Sequence, residues 1–187
     1  MKPRLELEIR LGNLLEQTDV DAIVIPTNTD LMLTGTLGGA VMERGGRGLD
    51  AEAERRGPIA MGEATHLQTA TLPFRYVILA AVTGMHTPDM VREQQEGTFT
   101  SGRTISEATL NSLDQAHIVG IESVAMPPIG VAQADFPLDQ CADIMLGEIR
   151  AFAAANPQAT LRRVVIVCPD QQAFSIFNHR TIERMAS

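Results

Sequence analysis

Apolar and polar positions repeat along this chain in alternating strand-like and helix-like segments. Residues 5–10 alternate strictly, as a half-buried edge strand does, and residues 20–25 form a short apolar run rich in branched residues, typical of a strand buried on both faces. Further strands are predicted at 63–70, 75–82, 123–126 and 161–168. A short helical turn is predicted within 11–16, and helices at 39–44, 49–56, 103–119, 137–155 and 172–185.

This alternation predicts the fold class. Strands that alternate with helices favour an α/β protein, a three-layer α/β/α sandwich with a mostly parallel central sheet. No internal repeat, low-complexity tract or linker interrupts the pattern, so one domain over residues 1–187 is expected. The longest stretch without a predicted element is the polar segment 84–102, and loops of this length are usually functional or disordered.

The corner after the second strand carries candidate chemistry. Pro26 is expected to end the strand, because it has no N–H to donate. Asn28 then lies at the carboxyl end of the strand, where open α/β sheets bind ligands. Glycines follow at three positions: Gly35, Gly38 and Gly39. Without Cβ atoms they allow backbone N–H groups to converge on an anion, although a flexible connection is the alternative, since the spacing matches no known phosphate-loop pattern.

Composition and charge limit the classes of function. A formal net charge of −8 argues against binding to a nucleic-acid backbone, but it leaves open a small anionic ligand held by main-chain amides. The apolar run at 76–85 is too short to span a bilayer, and residues 1–8 do not resemble a signal peptide, so no membrane association is expected. Cys141 and Cys168 have no metal-ligand spacing and indicate a reducing, cytoplasmic compartment.

Other candidate chemistry is sparse. The four histidines have no metal-binding spacing, so neither a metal nor a required cofactor is expected. His86 and Asp89 are a candidate acid–base pair in the long loop, with a solvated loop histidine as the alternative. Arg44 and Arg47 follow the glycines closely, and either contact an anionic ligand or are simply exposed.

Several segments together resemble the macro domain family, the ADP-ribose-binding α/β/α module. Residues 20–28 are similar to the family's VDAIVNAAN strand, and residues 34–41 lie where the family has its first glycine-rich loop. The segments at 57–64 and 72–78 resemble the family's GPI…GEA and LPARYVI segments. Residues 126–137 match the strand and second loop, and the resemblance runs in register from about residue 7 to residue 177.

The resemblance implies a cleft that holds ADP-ribose at the carboxyl ends of the strands. Asn13 stands where the family has the aspartate that accepts a hydrogen bond from adenine, with the Leu14 backbone beside it. Asn28 matches the asparagine that contacts the distal ribose, and it is the catalytic candidate if the protein is a hydrolase. Phe174 matches an aromatic residue near the adenine, with an ordinary core contact as the alternative. The two loops add the ligand-binding candidates Gly35, Gly38, Gly39, Ala40, Gly130, Val131, Ala132, Gln133, Ala134, Asp135 and Phe136.

The chain also departs from the family pattern. Gly38 stands where hydrolytic members have an aspartate that positions the attacking water. The second loop reads GVAQAD where the family usually has G/S-T-G-x-x-G, so a hydroxyl and two glycines are replaced and a carboxylate is added. That carboxylate, Asp135, precedes Pro137 by two residues and is expected to cap the helix that begins there; the alternative, implied by the resemblance, is that it occupies the place that the family keeps for phosphate.

Three classes of function follow. The first is a binding module for ADP-ribose or a relative, either free or attached to a protein. The second is a hydrolase that removes ADP-ribose from a protein or from an acetyl ester, with Asn28 and an ordered water as the minimum machinery. The third is an interaction domain that has lost the nucleotide. The expected partner is a small nucleotide or an ADP-ribosylated protein, and the oligomeric state stays open.

Overall fold

The computed structural model describes residues 5–84 and 100–186 of the 187-residue chain. The strands are β1 (Glu6–Leu11), β2 (Ala22–Asn28), β3 (Ala64–Gln68), β4 (Tyr76–Thr83), β5 (Ser123–Met126) and β6 (Arg163–Cys168). The helices are α1 (Gly35–Gly45), α2 (Arg47–Arg56), α3 (Gly102–Ile118), α4 (Val131–Ala134), α5 (Leu138–Ala155) and α6 (Gln171–Ala186), with a 3₁₀ turn at Leu14–Glu16. The predicted pair His86 and Asp89 lies outside the described residues.

The strands form one sheet in the order β1-β6-β5-β2-β4-β3. Every neighbouring pair is parallel except β3 and β4, which pair antiparallel at one edge. The chain leaves β2 toward β4 on one side and later continues through β5 and β6 on the other, so the winding reverses between β2 and β5. Such a reversal leaves a crevice at the carboxyl ends of the two strands. The predicted mostly parallel sheet is confirmed.

Helices cover both faces of the sheet. Along β2, Ala22 and Val24 face one hydrophobic core, which α3, α5 and α6 complete. Ile23 and Ile25 face the other core, which α1 and α2 complete. All four side chains are fully buried. The predicted two-sided burial of this strand and the three-layer architecture are therefore confirmed.

Asp21 joins the start of β2 to the start of β5. Its Oδ2 accepts hydrogen bonds from the N–H groups of Glu122 and Ser123 and from the Ser123 hydroxyl, each at 3.0 Å. Its own N–H donates to the carbonyl oxygen of Ser123 at 3.2 Å. This residue therefore aligns the two strands whose carboxyl ends form the crevice.

The strand end predicted at Pro26 is wrong, because β2 continues to Asn28. Pro26 pairs with Ala80 of β4, whereas the pairing with β5 includes only Ala22 and Ile23. At Pro26 the strand therefore has a ladder on one side only, and a residue without an N–H is tolerated there.

The predicted glycine-rich loop is the first turn of α1, which begins at Gly35 and not at Gly39. Gly35 has a φ of 70°, in the left-handed region that favours glycine. Gly38 is buried, and a Cβ there would lie 2.9 Å from the carbonyl carbon of Leu33. Glycine lowers helix propensity, but close packing of α1 against the preceding segment overrides that preference.

The predicted second loop, within residues 126–137, contains the short helix α4. A residue with a left-handed backbone conformation flanks this helix on each side, Gly130 with a φ of 81° and Asp135 with a φ of 53°. The expectation that Asp135 caps the next helix is wrong, because no side chain caps α5 and Pro137 occupies its N-cap position. Instead, the Asp135 backbone ends α4, and its N–H donates to the carbonyl oxygen of Val131 at 3.0 Å.

Candidate functional site

Two cavities meet at the carboxyl ends of the central strands. The larger, of about 630 Å³, is lined by the segment after β1, the first turn of α1, Pro127 and Pro128 after β5, α4, and the segment after β6. The smaller, of about 360 Å³, is lined by the end of β2, the first turn of α1, Thr83 at the end of β4, and α4. We call the residues that line both cavities the waist: Thr36 and Leu37 of α1, and Ala132 and Gln133 of α4.

These cavities bring together part of the predicted site. The larger is lined by the candidates Asn13, Leu14, Val131, Ala132 and Gln133. The smaller is lined by Asn28, Gly35, Gly38, Ala132 and Gln133. The other candidates, all within the described ranges, line neither of the two: Gly39, Ala40, Gly130, Ala134, Asp135, Phe136 and Phe174. Gly39 lies in a separate groove between α1 and α2, and Phe136 and Phe174 pack against the core on the α3 face.

The first turn of α1 faces the smaller cavity. Residues 34–38 all line it, and the N-cap residue Thr34 makes no side-chain capping hydrogen bond. The first N–H groups of an α-helix have no partner within the helix, and the helix dipole places partial positive charge there. This end of the cavity is therefore suited to an anionic group.

Asn28, at the end of β2, also lines the smaller cavity. Its Oδ1 accepts a hydrogen bond from the N–H of Met32 at 3.1 Å, and its carbonyl oxygen accepts one from the N–H of Leu31 at 3.0 Å. The Thr27 hydroxyl donates to the carbonyl oxygen of Met32 at 2.7 Å. This tight turn fixes the orientation of the Asn28 amide at the end of β2.

Asn13 has a structural contact that the sequence did not indicate. Its Oδ1 accepts a hydrogen bond from the N–H of Leu15 at 2.9 Å, which caps the 3₁₀ turn after β1. An amide oxygen has two lone pairs, so a second donor can still bind to it. The contact with adenine implied by the resemblance stays a prediction, and a ligand would share this oxygen with the backbone.

The lining of the two cavities is almost uncharged. Of the described residues that form it, Asp170 alone has a charged side chain. Its Oδ1 accepts a hydrogen bond from the N–H of Ala173 at 2.9 Å and so caps the start of α6. The described lining of the smaller cavity contains no carboxylate or histidine, so it offers no general base, and no lysine or arginine supplies positive charge in the described lining of either cavity.

Sequence reasoning missed several lining residues. Pro127 and Pro128 follow β5 directly, and Asp170 follows β6, so the rule that pointed to Asn28 at the end of β2 would also have found these positions. Thr36 and Leu37 were missed because only the glycines and Ala40 of their segment were taken as candidates, whereas in the first turn of a helix the residues between the glycines line the cavities too.

None of the cysteines and histidines in the described part of the chain lines either cavity. Burial raises the pKa of both the Cys141 and the Cys168 thiols to about 12, so neither thiol is activated. His66 contacts Gln115, with 2.7 Å between Nδ1 and Oε1. Within residues 5–84 and 100–186, no group of acidic, histidine and cysteine side chains is arranged to hold a metal ion. Over the same ranges, every helix is too short or too polar to cross a membrane.

Comparison with known proteins identifies related sequences. The family model described as "Macro domain" matches residues 24–145. A macro domain-containing protein of Lactiplantibacillus plantarum is 31% identical over 173 residues, which are 92% of this chain and 94% of the relative. An uncharacterised protein of Mycobacterium tuberculosis is 31% identical over 93% of this chain, but this chain spans only 44% of that relative.

Solved structures share the fold. The Trypanosoma brucei macrodomain in complex with ADP-ribose has a TM-score of 0.78 at 21% identity, with 94% of this chain and 69% of that chain covered. The Oceanobacillus iheyensis macrodomain with ADP has a TM-score of 0.81 at 20% identity, with 100% of this chain and 95% of that chain covered. Identities this low establish the likeness of the fold alone.

Proposed function

Because this chain belongs to the macro domain family, we propose that it binds ADP-ribose or a closely related nucleotide and does not hydrolyse it. The waist is the observation that carries this proposal. These four residues are shared by a mostly apolar cavity of about 630 Å³ and by a smaller cavity that faces the first turn of α1. An apolar cavity suits a nucleoside, and a helix N-terminus suits a phosphate.

In the proposed complex the ligand lies across the waist. The adenosine part occupies the larger cavity beside Asn13 and Leu14, and the distal ribose lies near Asn28 in the smaller one. The diphosphate between them is held by N–H donors of α1. Related macrodomains have been solved with ADP-ribose and with ADP, which supports this class of ligand.

Binding without turnover is favoured by the composition of the smaller cavity. Its described lining holds Asn28, threonines and glycines but no group that takes up a proton near neutral pH. Gly38 stands at the position where hydrolytic relatives have an aspartate, and a Cβ there would lie 2.9 Å from the Leu33 backbone. A carboxylate is therefore missing from this position and does not fit there without movement of the backbone.

The physiological setting is part of the proposal. We propose one domain over residues 1–187, supported by a single sheet that takes strands from residue 6 to residue 168. Two buried, unpaired cysteines support a reducing, cytoplasmic compartment. The proposed partner is free ADP-ribose or a protein that carries it.

Calorimetry with ADP-ribose, ADP and AMP tests the binding, and incubation with a mono-ADP-ribosylated protein tests for turnover. We expect ADP-ribose to bind and the modified protein to keep its ADP-ribose. A ligand at about 100 times its Kd adds about 2.7 kcal/mol to the free energy of unfolding, which a thermal shift also detects. If none of the three nucleotides binds, the protein is instead an interaction domain, and release of ADP-ribose from the modified protein would make it a hydrolase.

A further inference from the structure

Gln133, in the waist, has a polar atom without a partner. Its side-chain oxygen Oε1 is buried and accepts no hydrogen bond, although the residue lines both cavities. Among the described residues, one other buried side-chain atom shares this state, Oγ1 of Thr160, which precedes β6 at the opposite end of the sheet. Buried polar atoms are nearly always hydrogen-bonded, so each exception calls for an explanation.

The backbone that carries Gln133 is firmly held. Gly130 starts α4 in a left-handed conformation, and a Cβ there would lie 2.3 Å from Cδ1 of Ile105. The Gly130 carbonyl oxygen accepts hydrogen bonds from the N–H groups of Ala134 at 3.0 Å and Phe136 at 3.3 Å. The close packing at Gly130 and the backbone hydrogen bonds of this turn therefore fix the position of Gln133 in the waist.

The two ends of the Gln133 amide differ in their exposure. Oε1 is the covered end, which leaves Nε2 as the polar end of this side chain that a ligand can meet. An amide nitrogen offers two N–H donors and no acceptor. On the other wall of the waist, Thr36 and Leu37 belong to the first helical turn, whose N–H groups have no partner within the helix. Both walls of the waist thus present donors.

We propose that the side-chain amide of Gln133 donates a hydrogen bond to a phosphate oxygen of a nucleoside diphosphate that lies across the waist. This inference rests on the proposed function, because it presupposes a nucleotide in the cavities. When the amide is oriented so that Nε2 faces the ligand, Oε1 points into a buried place that has no hydrogen-bond donor. This orientation explains why Oε1 has no partner. Gln133 then supplies a side-chain donor in a loop where Val131 stands in place of the family's hydroxyl residue.

The test compares Gln133→Met and Gln133→Glu with the wild-type protein. Met removes the hydrogen-bonding groups at similar size, whereas Glu replaces the donors with a charged acceptor. Gln158→Met, at an exposed position before β6, is the matched control. ADP-ribose affinity is measured by calorimetry, adenosine affinity by ligand-observed NMR, and folding by the melting temperature of each ligand-free variant.

We expect Gln133→Met to lower the affinity for ADP-ribose by about tenfold or more, as for the loss of one hydrogen bond to a charged group, and to leave adenosine affinity within about twofold. Gln133→Glu should lower the ADP-ribose affinity further through repulsion. The melting temperature of Gln133→Met should equal or exceed that of wild type, because the unpartnered oxygen is removed. Gln158→Met should behave as wild type in every measurement.

Several results would overturn the inference. Equal ADP-ribose affinity for wild type and Gln133→Met would remove Gln133 from recognition while the proposed function stands. Equal losses for adenosine and ADP-ribose would point to a change in cavity shape and not to a phosphate contact. If Gln133→Glu binds ADP-ribose as tightly as wild type, the side chain does not donate to a phosphate. If wild type binds neither ligand, the proposed function fails and the inference fails with it.

Discussion

Thr36 is the position where one added charge tests the binding proposal most directly. It is an exposed residue in the first turn of α1 and lines both cavities. Thr36→Glu should not destabilise the folded protein, because a carboxylate in the first turn of a helix interacts favourably with the helix dipole by about 0.3–1 kcal/mol. The same carboxylate should oppose a diphosphate at that helix end.

The expected loss of affinity comes from repulsion between two negative charges, the added carboxylate and the phosphate. A carboxylate about 5 Å from a phosphate charge, at an effective dielectric constant of about 20, raises the free energy of the complex by about 3 kcal/mol. That energy lowers the affinity on the order of a hundredfold. Thr36→Gln adds a side chain of nearly the same size as Glu but no charge, so it separates repulsion from crowding.

Calorimetry with ADP-ribose and thermal unfolding of wild type, Thr36→Gln and Thr36→Glu form the assay. We expect similar melting temperatures for all three proteins, a small loss of affinity for Gln and a large one for Glu. If Glu binds as tightly as wild type, the first turn of α1 does not face the diphosphate. If Gln and Glu lose equal affinity, crowding and not charge explains the effect.

Three further predictions follow, one from the packing of α1, one from the pairing of β2 with β5, and one from the charge of the site. Gly38→Ala should lower the free energy of unfolding by about 1–3 kcal/mol because of the Leu33 backbone, whereas Gly39→Ala, with no atom within 4 Å of its Cβ, should raise it by up to about 1 kcal/mol. Urea unfolding distinguishes these outcomes, and equal effects would contradict the close approach at Gly38. Asp21→Ala should lower the melting temperature through a loss of about 2–4 kcal/mol, since it removes the acceptor of three hydrogen bonds, and a change below about 0.5 kcal/mol would show that β2 and β5 align without it. Raising NaCl from about 0.05 to about 0.2 M should leave ADP-ribose affinity unchanged or slightly higher in calorimetry, because the net charge is −8 and the described lining has no lysine or arginine; a steep loss would reveal basic contacts.

The sequence predicted the sheet and the helices that cover it well, but it predicted the ends of these elements and the segments between them poorly. Residues 20–25 are apolar at every position but one, which is typical of a strand buried on both faces of a sheet, and the cores confirm this. The end of that strand was predicted too early because proline was judged from its own missing N–H alone. Whether Pro26 fits in the strand depends on its neighbours, and β5 no longer pairs with β2 at that position. Glycine propensity likewise predicted a loop at residues 35–38, but close packing of Gly38 against the backbone of Leu33, in the segment before α1, favours a helix there.

The candidate site was predictable where it depends on strand ends. Asn28 ends β2 and Asn13 follows β1, and both line cavities at the expected edge of the sheet. Asp135 shows where this reasoning stops. From sequence spacing, a carboxylate two residues before a predicted helix resembles an N-cap. In the structure, the backbone of Asp135 has a left-handed conformation and ends α4 instead. Sequence spacing does not reveal the φ of this residue.

Gly38 links the packing of α1 to the absence of turnover that we propose. A catalytic carboxylate on α1 would need a Cβ at this position, and that atom would lie 2.9 Å from the carbonyl carbon and 3.1 Å from the Cα of Leu33. Backbone atoms cannot rotate away as the end of a flexible side chain can, so α1 would have to move outward. Such a movement would also displace Thr36 and Leu37 from the waist. The close approach that shapes the waist for a ligand is therefore the same contact that leaves no room for a catalytic aspartate at residue 38.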